Sequence, residues 1–173
     1  VAIRFKDRWP GHEAGQFAFV TFSTDEGAHP FTISSGWQGD GRLFFLIKGI
    51  GDYTARLREL LRVGDLVTVE GPYGRFDFAN GGASAKRRQI WVGGGIGITP
   101  FIARMKALVV VPDGRAVDLF YSTAEPDEGF IARLQRDAQA AGVRLHVLVS
   151  ARDGRLDVAR ICDTVPGWAE ADV

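Results

Sequence analysis

Four glycines, Gly93, Gly94, Gly95 and Gly97, stand between an apolar run, Ile90-Trp91-Val92, and a segment with helical apolar spacing that begins Thr99-Pro100-Phe101-Ile102. Glycine lets a chain turn sharply and lets backbone N–H groups come close to a ligand. Pro100 suits the first turn of a helix, where its missing N–H costs nothing. A strand, a glycine turn and a helix N-terminus in succession make an anion site, most often for the pyrophosphate of a dinucleotide. The usual third glycine is absent. Ile98 stands in its place, so the spacing is better described as Gly95-x-Gly97-x-x-Pro100.

Composition removes other chemistries. The 21 basic and 21 acidic residues cancel, which leaves no electrostatic footprint for nucleic acid. A single cysteine, Cys162, excludes an internal disulfide or a cysteine-ligated iron–sulfur cluster within this chain. In its predicted helix Cys162 reads as a buried apolar residue. His12, His29 and His146 are scattered, without metal-ligand spacing, so no metal site is expected. No general acid–base pair is evident. No apolar run approaches the ~20 residues that cross a bilayer, and no signal peptide is visible. The chain opens on Val1 rather than Met, which suggests a fragment.

The elements that must position the glycine turn fall into two rhythms. From 1 to 78 the pattern is short strands (2–5, 15–22, 31–34, 42–48, 66–70) with one helix over 53–61 and a closing turn, Gly71-Pro72-Tyr73-Gly74. That pattern predicts a small all-β antiparallel Greek-key barrel with one helix. Residues 79–88 are small, polar and basic and read as a linker. From 89 to 173 strands (90–94, 116–122, 143–150) alternate with helices (99–109, 127–141, 157–164), which predicts an α/β parallel-sheet nucleotide-binding domain. Ligands of such sheets lie beyond the carboxyl ends of the strands, here Gly93–Gly97, Ser122–Glu125 and Ser150–Asp153. A further strand begins near Ala171.

Five motifs in order, His29-Pro30-Phe31-Thr32, Gly51-Asp52-Tyr53-Thr54, Gly71-Pro72-Tyr73-Gly74, Gly94 to Pro100 and Phe120-Tyr121-Ser122, resemble the ferredoxin–NADP reductase superfamily, in the dialect of its NADPH-oxidase and ferric-reductase branch. The resemblance implies an FAD-binding first domain and an NAD(P)H-binding second one. It places Phe31 on the isoalloxazine and the Thr32 hydroxyl near flavin N5, which makes Thr32 the catalytic candidate. The bland alternative is that Phe31 and Thr32 merely alternate along a strand. His29 stands where relatives carry an arginine for the pyrophosphate. Pro30, Ile47, Lys48, Gly51, Asp52, Tyr53, Thr54 and Gly74 complete the FAD set. Thr54 is a candidate N-cap of a helix whose free N–H groups would take a diphosphate, and Lys48 either neutralises phosphate or is a solvated strand-end lysine.

On the nucleotide side the resemblance assigns Gly94, Gly95, Ile96, Gly97, Thr99, Pro100 and Ser122. Ile96 replaces a threonine common among relatives. The second strand ends Ser122-Thr123 with no acid in place to hold a ribose 2′-OH, whereas Ser150, Arg152 and Arg155 would hold a 2′-phosphate through charge-assisted bonds, unless they form only a solvated Arg/Asp turn; that leans towards NADPH, with NADH the alternative. The implied activity is hydride delivery from NAD(P)H to FAD, with electrons passed on to a haem, ferric iron or a partner protein. The rival readings are a soluble reductase component of an oxygenase and a non-catalytic nucleotide-binding regulatory module. The implied location is the cytoplasm, at the cytoplasmic face of a membrane protein if a haem-bearing membrane domain lies outside this chain. The family's first barrel strand, Cys-Gly-Pro segment and terminal aromatic are missing from these residues, so the chain alone is expected to be impaired.

Overall fold

In strand β2 (Phe17–Thr21), Ala18 and Val20 are wholly buried while Phe17 and Phe19 stay partly exposed, so one face of the strand meets a core. The computed structural model describes residues 1–6, 8–76, 78 and 87–173; most of the expected linker, residues 79–86, lies outside them. Strands β3 (His29–Thr32) and β5 (Thr68–Tyr73) flank β2, both antiparallel. Strand β1 (Ala2–Arg4) pairs antiparallel with β4 (Arg42–Phe44), and a bridge between Ile33 and Phe45 joins the two sheets. The resulting order is β1-β4-β3-β2-β5. Among the described residues β1 and β5 do not pair, so the expected barrel is an open curved sheet wrapped on Ile3, Trp9, Val20, Ile33, Leu43 and Phe45.

Two boundaries differ from those the sequence predicts. The expected strand over 42–48 loses regular pairing after Phe44 because its apolar run serves two cores: Phe45 and Ile47 pack on the barrel, Leu46 on the second half. The expected turn Gly71–Gly74 is instead mostly strand. β5 runs to Tyr73, which pairs with Phe17 across a bulge. Gly71 permits it, with φ +146 and its backbone so close to β2 that a Cβ would lie 3.3 Å from Ala18.

The single helix of this half, α1 (Asp52–Leu60), buries only Leu57. In the second half β6 (Gln89–Gly94), β7 (Val117–Thr123) and β8 (Val143–Val149) form a parallel sheet in sequence order. Helices α2 (Thr99–Val110) and α3 (Glu128–Ala140) cover one face through Ile102, Met105, Ile131 and Leu134. The other face carries Ile90, Phe120 and Leu148 beneath Val165, which follows α5 (Val158–Thr164). Cys162 on α5 is half-buried, less enclosed than its apolar reading implies. The anticipated last strand is present as a parallel bridge from Asp172 to Gln89.

Helix α2 also joins the halves. Lys106 donates to the Ser34 carbonyl at 3.0 Å and lies over the Phe44 ring. Gly36 sits so close that a Cβ would stand 3.1 Å from the Ala107 nitrogen. Ala14 and Leu46 of the first half pack on the core of the second.

Candidate functional site

At the carboxyl end of β6 the chain enters a 3-10 turn (Gly95–Ile98) and then α2, with Pro100 in its first turn as the sequence predicts. The glycines divide by role. A Cβ on Gly93 would meet Ile98 and Phe101 at 3.1–3.4 Å, so Gly93 serves packing. Gly94, Gly95 and Gly97 have nothing within 4 Å of such a Cβ, and Gly95 has φ +51. These three present backbone to open space, as an anion-binding turn requires. Ile96 is exposed beside them. Thr99 differs from its expected role: it is 2% exposed, and its hydroxyl donates to the Ile96 carbonyl at 2.8 Å. It braces the turn rather than facing a ligand. Ser122 stands directly beside Gly94 in the parallel ladder and is half-exposed.

The barrel brings a second anion-receptive end to the same place. Lys48 Nζ lies 3.2 Å from the Glu125 carboxylate, just past the end of β7. Gly49 follows; a Cβ there would lie 2.9 Å from Ala55 Cα, so the loop is pressed onto α1. Thr54 is not the N-cap. Gly51 is, and Thr54, two residues into α1, accepts the N–H groups of Ile50 and Gly51 at 3.1 Å. No side chain caps the first N–H groups of α1, and Asp52 and Tyr53 open it. His29 stacks on Tyr53 with ring centroids 5.0 Å apart, and His29 Nε2 is buried with no hydrogen-bond partner. Such an orphaned polar atom is costly and marks a place where a ligand oxygen would be accepted. His29, Lys48, Gly51, Asp52, Tyr53 and Thr54 are thus gathered around one helix end.

Phe31 and Thr32 are not gathered there together. Strand alternation sends them to opposite faces: Phe31 pairs with Ala18 and packs half-buried against Phe22 and Phe45, while Thr32 pairs with Phe17. Ile47 likewise packs on the barrel core. Thr32 and the exposed Pro30 share their face with Phe17 and Phe19, which form a triangle of rings with Tyr73 at 5.7–5.9 Å. Gly74, with φ +100, closes on this triangle; a Cβ there would lie 3.2 Å from the Phe17 ring. The sequence reading missed Phe17 and Phe19. Their signal was two aromatics at the outward positions of a strand whose inward positions are small and aliphatic.

The third strand end also differs from expectation. Ser150 opens a short helical turn, α4 (Ser150–Asp153). Arg152 reaches both oxygens of Asp153 at 3.0 Å, and Asp153 accepts the Val149 N–H at 2.8 Å. The Arg152 hydrogen bonds, then the Val149 N–H, hold the Asp153 carboxyl below the usual carboxylate range. Arg155 is exposed beyond this turn.

An antiparallel sheet with one short helix, packed along α2 on a parallel sheet with a glycine turn, is the two-domain fold of ferredoxin–NADP reductase-like proteins. Residues 2–77 match the family of FAD-binding domains. The chain is 30% identical over 144 residues to the ferredoxin–NAD(+) reductase component of the alkene monooxygenase system of Xanthobacter autotrophicus, covering 81% of this chain and 42% of that protein. It is 25% identical over 118 residues to the reductase component of propane 2-monooxygenase of Rhodococcus jostii, covering 67% of this chain and 31% of the relative. A flavohemoglobin from Malassezia yamatoensis, solved with bound FAD and heme, shares the fold with a TM-score of 0.71 at 22% identity, over 98% of this chain and 46% of that one. The first half of the chain therefore matches an FAD-binding domain, and the chain as a whole has the fold of ferredoxin–NADP reductase-like proteins. It spans less than half the length of these curated relatives. Among the described residues no helix is long and apolar enough to cross a membrane, and no cluster of His, Cys, Asp and Glu could hold a metal ion.

Proposed function

We propose that the chain is the flavin- and nicotinamide-binding part of an NAD(P)H-dependent reductase that passes electrons to a partner protein. The observation that carries this reading is the meeting, at Lys48 and Glu125, of the glycine turn's sheet edge with the uncapped end of α1. FAD, when bound, supplies a hydride acceptor that releases electrons singly. Lys48, the His29 Nε2 atom and the first N–H groups of α1 would hold its pyrophosphate. The aromatic face of Phe17, Phe19 and Tyr73 would cover the isoalloxazine, with the Thr32 hydroxyl at its edge and Gly74 leaving room. In this arrangement Phe17 takes the covering role that the resemblance gives to Phe31. Gly94, Gly95 and Gly97 would seat the pyrophosphate of the nicotinamide nucleotide, beside Ser122. The chain's part in the reaction is placement and electrostatics, which needs no acid–base pair.

Both curated relatives described above are reductase components of monooxygenases, which supports an oxygenase or another redox protein as the electron acceptor rather than ferric iron or a covalently continuous haem domain. Purified chain should be yellow, and anaerobic NADH or NADPH should bleach its flavin absorption. A folded, colourless protein that neither takes up added FAD nor binds nucleotide would end this reading. Colourless protein that still binds nucleotide would favour the regulatory module instead.

A further inference from the structure

We propose that a cavity at the seam of the two halves, away from the glycine turn, binds a small aromatic carboxylate. The cavity holds about 230 Å³. Gly36 and Trp37 of the barrel form one wall, and Lys106, Ala107, Val110 and Val111, in the C-terminal part of α2 and just past it, form the other. Along the α2 axis these residues stand about 10–16 Å from the glycine turn. The two walls are fixed to each other. Gly36 is pressed onto the helix, where a Cβ would lie 3.1 Å from the Ala107 nitrogen, and Lys106 donates to the Ser34 carbonyl at 3.0 Å.

The polar groups around this space are mostly donors. The Trp37 indole N–H and the Lys106 ammonium can only donate, and Lys106 spends one of its N–H groups on Ser34. Arg104, also on the wall, keeps a buried Nε with no partner among the described residues. The acid present, Asp113, is already engaged: its Oδ2 accepts Arg104 Nη2 at 2.6 Å and its Oδ1 accepts the Arg115 N–H at 3.0 Å. Gln38 is exposed at the rim. Burial lowers the Lys106 pKa from its ordinary value, offset only in part by Asp137, so an incoming carboxylate meets a cation short of counter-charge. Bound at Lys106, such a ligand would lay its body between the indole and the valines. A cationic ligand would face Lys106 and Arg104, and a neutral one would leave the ammonium without a counter-charge. The volume is below the ~300–1,000 Å³ of drug-sized sites, which confines the ligand to about one ring.

The test is titration of the chain, without flavin or nucleotide, with benzoate and with its neutral counterpart benzamide, read by tryptophan fluorescence and thermal melts. Benzoate should saturate with a midpoint of about 1 mM and, at about 10 mM, raise the melting temperature by about 3 °C. Benzamide should bind about fivefold more weakly or worse. Val110→Asp sets a like charge at a wall position that is 58% exposed, so the fold should survive while benzoate affinity falls about tenfold. Lys106→Gln, which can still donate to Ser34, should lose the preference for benzoate over benzamide. No saturation by about 20 mM benzoate, equal binding of benzamide, or binding that both variants leave unchanged overturns the proposal. The ratio of the two ligands on the parent chain decides even if a variant misfolds. The cavity shares no residue with the glycine turn or α1, so its failure would leave the flavin reading standing.

Discussion

Lys48 and Glu125, 77 positions apart in sequence, meet at 3.2 Å where the loop before α1 reaches the carboxyl end of β7. The pair is exposed, Lys48 by 46% and Glu125 by 80%. Its contribution to stability is at most about 0.5 kcal/mol. Its effect on ligands should be larger, because Lys48 stands three residues before Gly51, where α1 starts without a side-chain cap. Lys48→Ala should leave the melting temperature within about a degree of the parent while weakening FAD binding roughly tenfold at low salt. Glu125→Gln should tighten it slightly. Titrations of apoprotein with FAD, followed by flavin fluorescence, check both signs.

The glycines of the turn make a paired prediction. Gly93→Ala drives a methyl into Ile98 and Phe101 and should cost about 1–3 kcal/mol of stability. Gly94 has an ordinary extended backbone and open space, so Gly94→Ala should keep the fold. Its methyl would nevertheless stand in the open space proposed for the nucleotide's pyrophosphate, and nucleotide affinity should fall about tenfold. Thermal melts and nucleotide titrations on the two variants should give opposite patterns.

His12 sets a pH dependence. Trp9 Nε1 donates to its Nδ1 at 3.3 Å, and its Nε2 lies 2.9 Å from the Ser35 carbonyl, an arrangement that suits the neutral ring. Burial lowers its pKa below the ordinary 6.5, only partly offset by the Ser35 carbonyl. With the folded-state value depressed, the unfolded chain takes up the proton first as pH falls. His12 therefore contributes stability that is present above the ordinary histidine value and is lost progressively below it. Urea melts between pH 7.5 and 5 should show this slope, and His12→Gln should flatten it.

Asp118, 1% exposed, is held by Arg88 and Arg144 at 2.8 Å and by His146 at 3.0 Å. Asp118→Ala leaves three donors around an empty position and should cost about 3 kcal/mol. Arg144 is 56% exposed, so Arg144→Ala should cost under about 1 kcal/mol. Denaturant unfolding of the two variants measures the contrast.

Much of the architecture was legible because it is local. Alternation in Phe17–Phe22 and helical spacing after Pro100 depend on near neighbours, and the glycine turn carries its own instructions. Errors arose where a residue answered to something distant. Thr99 looked like a cofactor contact because nothing in its neighbourhood announces that its hydroxyl closes on the Ile96 carbonyl. Thr54 looked like a cap because Gly51 has no side chain to advertise itself. Arg152 looked free because the adjacent Asp153 could as well have pointed to solvent.

By itself, then, the sequence determined the order of elements, the two rhythms and the glycine turn, all set by backbone freedom and side-chain period over a few residues. Tertiary structure alone decided which faces those elements share. It put Phe31 inward and Phe17 outward, laid His29 on Tyr53, and brought Lys48 to Glu125. Those relations depend on strand register and on the packing of α2 against the barrel, and each joins residues too far apart in sequence for any local pattern to encode.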